Sequence, residues 1–143
     1  MPMREAETVW NGTLEEGRGV VTLTSSGLAS YDVSFPTRAR DVAGGVTSPE
    51  ELMAAAHTSC FAMQFSALLG AAGGTDIHLE IGAKVHLGPD SAGGFEIGRI
   101  ELSVGGHAAG VDDTQFRDIA DAAKDGCPVS KALAGTTIDL TFR

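Results

Sequence analysis

"SPEELMAAAHTSCFAMQFSALLG", residues 48–70, decides the reading of this chain. No charged side chain falls between Leu52 and Ala72. The start of the stretch is marked as a helix N-terminus. Ser48 suits the cap, Pro49 the first helical position, and Glu51 the acidic place of a capping box. The helix is expected to run to about Gly70, where "GAAGGTD" ends it. A helix that is apolar nearly all round belongs in an interior. Leu52–Ala72 is also long enough to span a bilayer. Its alanine content, its polar residues (His57, Thr58, Ser59, Gln64 and Ser66) and the amphipathic strands around it point instead to a buried central helix.

Working outward, the residues before this helix read as strands. In "ETVWNGTLEEGRGVVTLTS" the Asn11-Gly12 pair favours a tight turn, with Val20, Val21 and Leu23 following in a strand. "SYDVSF" alternates Tyr31, Val33 and Phe35 against Ser30, Asp32 and Ser34, the period of a strand with one buried face. "PTRARDVAGGVTS" reads as a loop. Beyond the helix, "IHLEIGAKVHL" and "FEIGRIELSV" form two strands around the turn "GPDSAGG", expected as antiparallel partners. "DDTQFRDIADAAKD" fits a second helix, with Phe116, Ile119, Ala120 and Ala123 on one stripe and Gly126 as its stop. Cys127-Pro128 then opens a helical turn, and "TTIDLTF" alternates as a last strand. The order predicts an α+β fold with an antiparallel sheet packed on a buried helix.

Composition narrows the function. The chain has 143 residues, of which 43% are hydrophobic and 20% charged, so a single folded domain over 1–143 is expected rather than disorder. The net charge is −9 and basic residues do not cluster, which argues against nucleic acid and against an anionic membrane surface as partners. "MPMREAETVW" lacks the apolar core of a signal peptide. A cytoplasmic location is therefore expected, and there paired cysteines tend to be catalytic or metal-bound rather than structural disulfides.

Two cysteines carry the candidate chemistry. Cys60 lies mid-helix, and buried free cysteine is an ordinary core residue. Apolar surroundings disfavour its thiolate unless a cation is brought to it. His57 stands one turn earlier, and the preceding loop offers Arg38 and Arg40. Cys127 precedes a proline at a helix start, where free backbone N–H groups favour a thiolate. On local electrostatics Cys127 is the more reactive thiol. His57, Cys60 and Cys127 together form a candidate metal set, but His57, His78, His86 and His107 have no metal-ligand spacing, and the sequence lacks CxxC, GxGxxG and phosphate-loop motifs. No cofactor is expected. Glu50 and Glu51 are explained as first-turn acids by the helix dipole alone.

"FPTR" (35–38), "SPEELMAAAHTSCFAM" (48–63) and "GCPVSKAL" (126–133) jointly resemble the signature blocks of the OsmC/Ohr family, the osmotically inducible protein C and organic hydroperoxide resistance proteins. "AAAHTSCF" and "CPVS" are closer to the OsmC branch. The resemblance implies an intertwined homodimer with active sites at the subunit interface and a cysteine-based peroxidase activity on organic hydroperoxides, with H2O2 a second candidate substrate. It implies that Cys60 attacks the peroxide and becomes a sulfenic acid, and that Cys127 resolves it as a disulfide. It maps the thiolate-stabilising arginine onto Arg38 and the glutamate that holds it onto Glu50, with Arg18 a second arginine candidate. A lipoyl-type dithiol is the implied reductant. Two rivals remain: a small-ligand-binding member of the same fold with inert cysteines, and a metal-binding module.

Overall fold

The computed structural model describes residues 1–143. Backbone packing divides them into two compact units, Met1–Leu52 and Met53–Arg143.

In the first unit, β1 (Glu7–Asn11), β2 (Arg18–Thr22) and β3 (Ser30–Val33) make an antiparallel sheet in chain order, with Val9 opposite Val20 and Val21 opposite Tyr31. Asn11-Gly12 does begin a turn, but the turn is wider than two residues and closes where Gly17 N donates to Thr13 O at 2.8 Å. β3 is shorter than the alternation predicts. Ser34 stops it by accepting from Thr37 N at 3.4 Å, and Phe35–Arg38 wind into a short helix, α1, where a loop was expected. Pro36 suits that first turn because it has no N–H to leave unpaired. The expected buried face of Tyr31, Val33 and Phe35 is not closed within the unit. Tyr31 is 38% exposed and Val9, Trp10 and Val20 are exposed with it.

The central helix, α2, spans Pro49–Ala71, and Glu51 N donates to Ser48 Oγ at 3.2 Å as the cap predicts. The reciprocal half of the capping box is replaced: Glu51 Oε2 accepts from the Thr47 hydroxyl at 2.6 Å. By length and composition alone α2 would cross a membrane. In this fold it buries one stripe, His57, Phe61, Phe65 and Leu69, at every fourth residue, while Met63 on another face is exposed.

In the second unit, β4 (Thr75–Pro89) and β5 (Phe95–Ala109) form the long antiparallel hairpin that the sequence predicts. Near its far end the register shifts between Thr75 and His78. Gly106 sits there at φ +125°, and a Cβ would lie 2.0 Å from the His78 carbonyl oxygen, so only glycine fits. α3 (Asp113–Gly126) starts at a complete capping box between Asp112 and Gln115. α4 (Pro128–Ala132) follows directly, then β6 (Thr137–Phe142). β6 lies beside β5 in parallel, Leu140 opposite Leu102, so the sheet is not wholly antiparallel. The α3–α4 connection is the cause: a helical crossover returns the chain to run in the same direction as β5, which a tight turn does not allow. The chain thus has two three-stranded sheets rather than one.

The hydrophobic core lies in this second unit. Phe61, Phe65 and Leu69 pack with Leu102, Val104 and Ala108 of β5 and with Ala120, Ala123 and Cys127. The Phe65 ring meets Phe116 edge-on at 4.8 Å. Each fully buried Phe or Leu contributes about 2 kcal/mol of apolar transfer energy.

Candidate active site

Cys127 stands at the junction of two helices. Its N–H donates to Ala123 O at 2.8 Å and ends α3; its carbonyl accepts from Lys131 N at 3.0 Å and starts α4. Its backbone is extended, at φ −63° and ψ 124°, so the chain turns sharply here. A Cβ on Gly126 would lie 3.0 Å from Gln64 Nε2, so the junction runs close against α2. This brings the buried Cys127 sulfur to the half-buried Cys60, and the two thiols interact directly while both remain free of a disulfide. The backbone of Val129, near the start of α4, works to lower both thiols.

The two thiols are electrostatically unequal. Burial pushes Cys60 up, the neighbouring Cys127 pushes it further, and the Val129 N–H is the only group opposing them. Burial also raises Cys127. It is outweighed by the Ser130 N–H, the Cys60 thiol, the Ser130 hydroxyl and the Val129 N–H, and Cys127 lies below its ordinary value. In this arrangement the first proton leaves Cys127, and Cys60 donates to the resulting anion. That is the ranking which local electrostatics predicts from the Cys-Pro helix start.

Behind Cys127 lies a residue that sequence reasoning placed differently. His57 is completely buried, and its Nε2 lies 2.8 Å from Ser130 Oγ on α4. Loss of solvent holds the ring below the ordinary imidazole range, hence neutral at pH 7. The sequence offered His57 as a weak neighbour of Cys60 and gave Ser130 no role. The four-residue spacing of His57, Phe61, Phe65 and Leu69 is the signal that assigns His57 to the core-facing stripe.

The first unit holds the second pair of candidates. Arg38, in the last turn of α1, donates from Nε and Nη2 to a single oxygen of Glu50, at 3.0 and 2.6 Å. Burial works to raise the Glu50 carboxyl, but the hydrogen bond and charge of Arg38 prevail and hold it below the usual carboxylate range. Arg18, the other arginine candidate, begins β2 and lines a cavity of about 440 Å³ with Val9, Val20, Asp32, Val33 and Thr37. Of the two arginines, Arg38 is the one that Glu50 holds. On the hairpin, His86 pairs with Glu101 at 2.6 Å, and no group of three or more His, Cys, Asp or Glu gathers at a distance fit to hold a metal ion.

Comparison with known proteins then decides the family. The family model for OsmC-like protein matches residues 43–142. The chain belongs to the OsmC family. This OsmC-family chain is 38% identical over 141 residues to the peroxiredoxin OsmC of Escherichia coli K12, an alignment covering 98% of this chain and 96% of that one. It is 32% identical over 126 residues to the organic hydroperoxide resistance protein OhrB of Bacillus subtilis, covering 86% and 88%. The crystal structure of Bacillus subtilis OhrB superposes with a TM-score of 0.75 at 28% identity, covering 97% of this chain and 98% of that one. An OsmC from Legionella pneumophila shares the fold at a TM-score of 0.78 and 24% identity, covering 99% and 97%. The α+β, OsmC-like fold predicted from the sequence is the observed one.

Proposed function

We propose that this OsmC-family protein is a thiol-dependent peroxidase that reduces organic hydroperoxides to alcohols, acting as one domain over residues 1–143. The observation that carries the reading is the contact between its only two thiols, both reduced, one mid-helix and one at a helix junction. The names of its relatives, a peroxiredoxin and an organic hydroperoxide resistance protein, point to the same chemistry.

The proposed cycle balances with a dithiol reductant. The Cys60 thiolate attacks an oxygen of the peroxide, the O–O bond breaks, and the alkoxide leaves as alcohol after taking a proton. Cys60 is then a sulfenic acid. The Cys127 thiolate attacks the Cys60 sulfur; the S–O bond breaks, hydroxide leaves and is protonated to water, and a disulfide forms. A lipoyl-type dithiol returns both thiols with two electrons and two protons. The first step is the one the cysteine pair alone disfavours, since burial and Cys127 both oppose a Cys60 thiolate. The cation assigned to it is Arg38, kept in place by Glu50. The second step suits the pair as it stands, because Cys127 is the better anion. We assign the protein to the reducing cytoplasm and to a homodimer, whose second copy would cover the exposed apolar side chains of the first sheet.

Paired substitutions test the reading. Cys60→Ser is expected to abolish consumption of an alkyl hydroperoxide. Cys127→Ser is expected to leave a single turnover that ends in a Cys60 sulfenic acid. Peptide mass spectrometry of the wild type after one equivalent of hydroperoxide is expected to show a Cys60–Cys127 cross-link. Near-normal turnover in Cys60→Ser overturns the assignment. Slow native thiol titration of both cysteines, with no peroxide consumption, supports the ligand-binding rival.

A further inference from the structure

We propose that His57, acting through Ser130, is a positioning residue for disulfide formation: it fixes the direction of a hydrogen-bond chain that ends on the Cys127 sulfur. The inference rests on the peroxidase reading above for its role, though not for its geometry.

A leucine would fill the His57 position as Phe61, Phe65 and Leu69 fill the rest of the stripe. Instead the fold buries an imidazole completely, with Nε2 against Ser130 Oγ at 2.8 Å and Nδ1 without any partner. Ser130 is itself buried and lies in the first turn of the helix that Cys127 caps, which sets its hydroxyl on the same turn as the Cys127 sulfur. A serine hydroxyl has one proton to give and two lone pairs. The chain therefore has two possible directions. With the proton on Nε2, His57 donates to Ser130 Oγ, and the Ser130 proton is left to point at Cys127, which stabilises a thiolate. With the proton on Nδ1, Nε2 accepts the Ser130 proton, and Ser130 can only accept from a Cys127 S–H, which stabilises the thiol.

The bare Nδ1 chooses between them. A buried N–H with no acceptor is rarer and costlier than a buried acceptor left unused. The proton therefore belongs on Nε2, and the chain runs His57 to Ser130 to Cys127. This presents Cys127 as a thiolate when Cys60 becomes a sulfenic acid. The attack forms the S–S bond, breaks the S–O bond and releases hydroxide. The hydroxide takes up a proton from solvent, replacing the one Cys127 gave to solvent on ionising. His57 stays neutral throughout and exchanges no proton with either sulfur.

The test separates the two steps by rapid mixing with an alkyl hydroperoxide, and separately titrates the Cys127 thiol by thiolate absorbance in a Cys60→Ser background. His57→Leu removes the donor and keeps an apolar filling. It is expected to slow disulfide formation about tenfold, the loss of one hydrogen bond to a charged group, while sulfenic acid formation stays within about twofold. The Cys127 pKa is expected to rise by about one unit, the same loss expressed as a titration. Ser130→Ala is expected to act alike, and the double variant to be no slower than either single one. His57→Gln, whose amide N–H falls near the Nε2 position, is expected to restore most of the rate. An unmoved Cys127 pKa in folded His57→Leu and Ser130→Ala overturns the inference, as does equal slowing of both steps. The titration uses no peroxide, so it decides the role of His57 even if the wild type proves not to reduce hydroperoxides.

Discussion

Residues 53–143 and residues 1–52 are held by different means. The later unit contains every buried hydrophobic side chain of the molecule, from Phe61 to Cys127. The earlier one buries only Gly17, Gly19 and Glu50, and its sheet leaves Val9, Trp10, Val20 and Tyr31 exposed. The proposed sulfur chemistry sits on the first kind of ground, where packing over-determines each atom. The Arg38–Glu50 clamp sits on the second, where a three-stranded sheet without a covered apolar face is only marginally stable by itself. The thiols are positioned by the chain's own core, whereas the sheet of the unit that holds the proposed cation leaves apolar side chains exposed. A second copy of the chain is the cover we propose.

Substitutions sharpen the contrast. Phe65→Ala is expected to cost about 3–5 kcal/mol, because a fully buried ring against Phe116 leaves a cavity. Val20→Ala is expected to cost less than about 0.5 kcal/mol in a monomer. In a dimer that buries the sheet it should cost more, and the cost should depend on protein concentration. Denaturant unfolding at two concentrations, with molar mass from light scattering, checks both. A monomeric mass with a large, concentration-independent cost at Val20 breaks the comparison.

A smaller effect is expected at the clamp. The Glu50 carboxyl lies below its ordinary value in the folded chain, so its contribution is fully present above the unfolded value of about 4.5 and is lost as pH falls through the folded value. Glu50→Gln is expected to cost about 1 kcal/mol at pH 7, since the partner Arg38 is about a third exposed. The difference from wild type should vanish in acid. A difference that persists at pH 3 means that Glu50 acts by packing rather than by charge.

The smallest effect falls on the well-packed side. His57 is also held below its ordinary value, here 6.5, and the unfolded chain therefore takes up this proton first as pH falls. Wild-type stability should decline as pH drops from 6.5 toward 5, and His57→Gln should flatten that decline by less than about 1 kcal/mol. Urea midpoints measured at pH 7 and pH 5 decide it.

Much of this was legible in the sequence where a local rule governs. Ser48-Pro49 marked the start of α2, the stripe of Phe116, Ile119, Ala120 and Ala123 marked α3, and the alternation in "IHLEIGAKVHL" and "FEIGRIELSV" marked a hairpin. The signature blocks identified the family, and the Cys127-Pro128 pair foretold which thiol the backbone favours. What was missed is decided by contacts between distant segments. The direction of β6 depends on how α3 and α4 return the chain, which alternation does not encode. Ser34 and Thr37 made a helical turn from residues that also read as strand and loop. Ser130 looked like any helix serine until the fold set His57 behind it.

The Val129 N–H, which favours the anion at both sulfurs, has a consequence for observing the protein at work. In the reduced pair it acts on the more acidic sulfur of the chain; in a disulfide neither sulfur carries charge. Its proton is thus a label placed by the fold itself. In an isotope-labelled sample its amide resonance would report the redox state of each molecule, with no dye attached and neither cysteine altered.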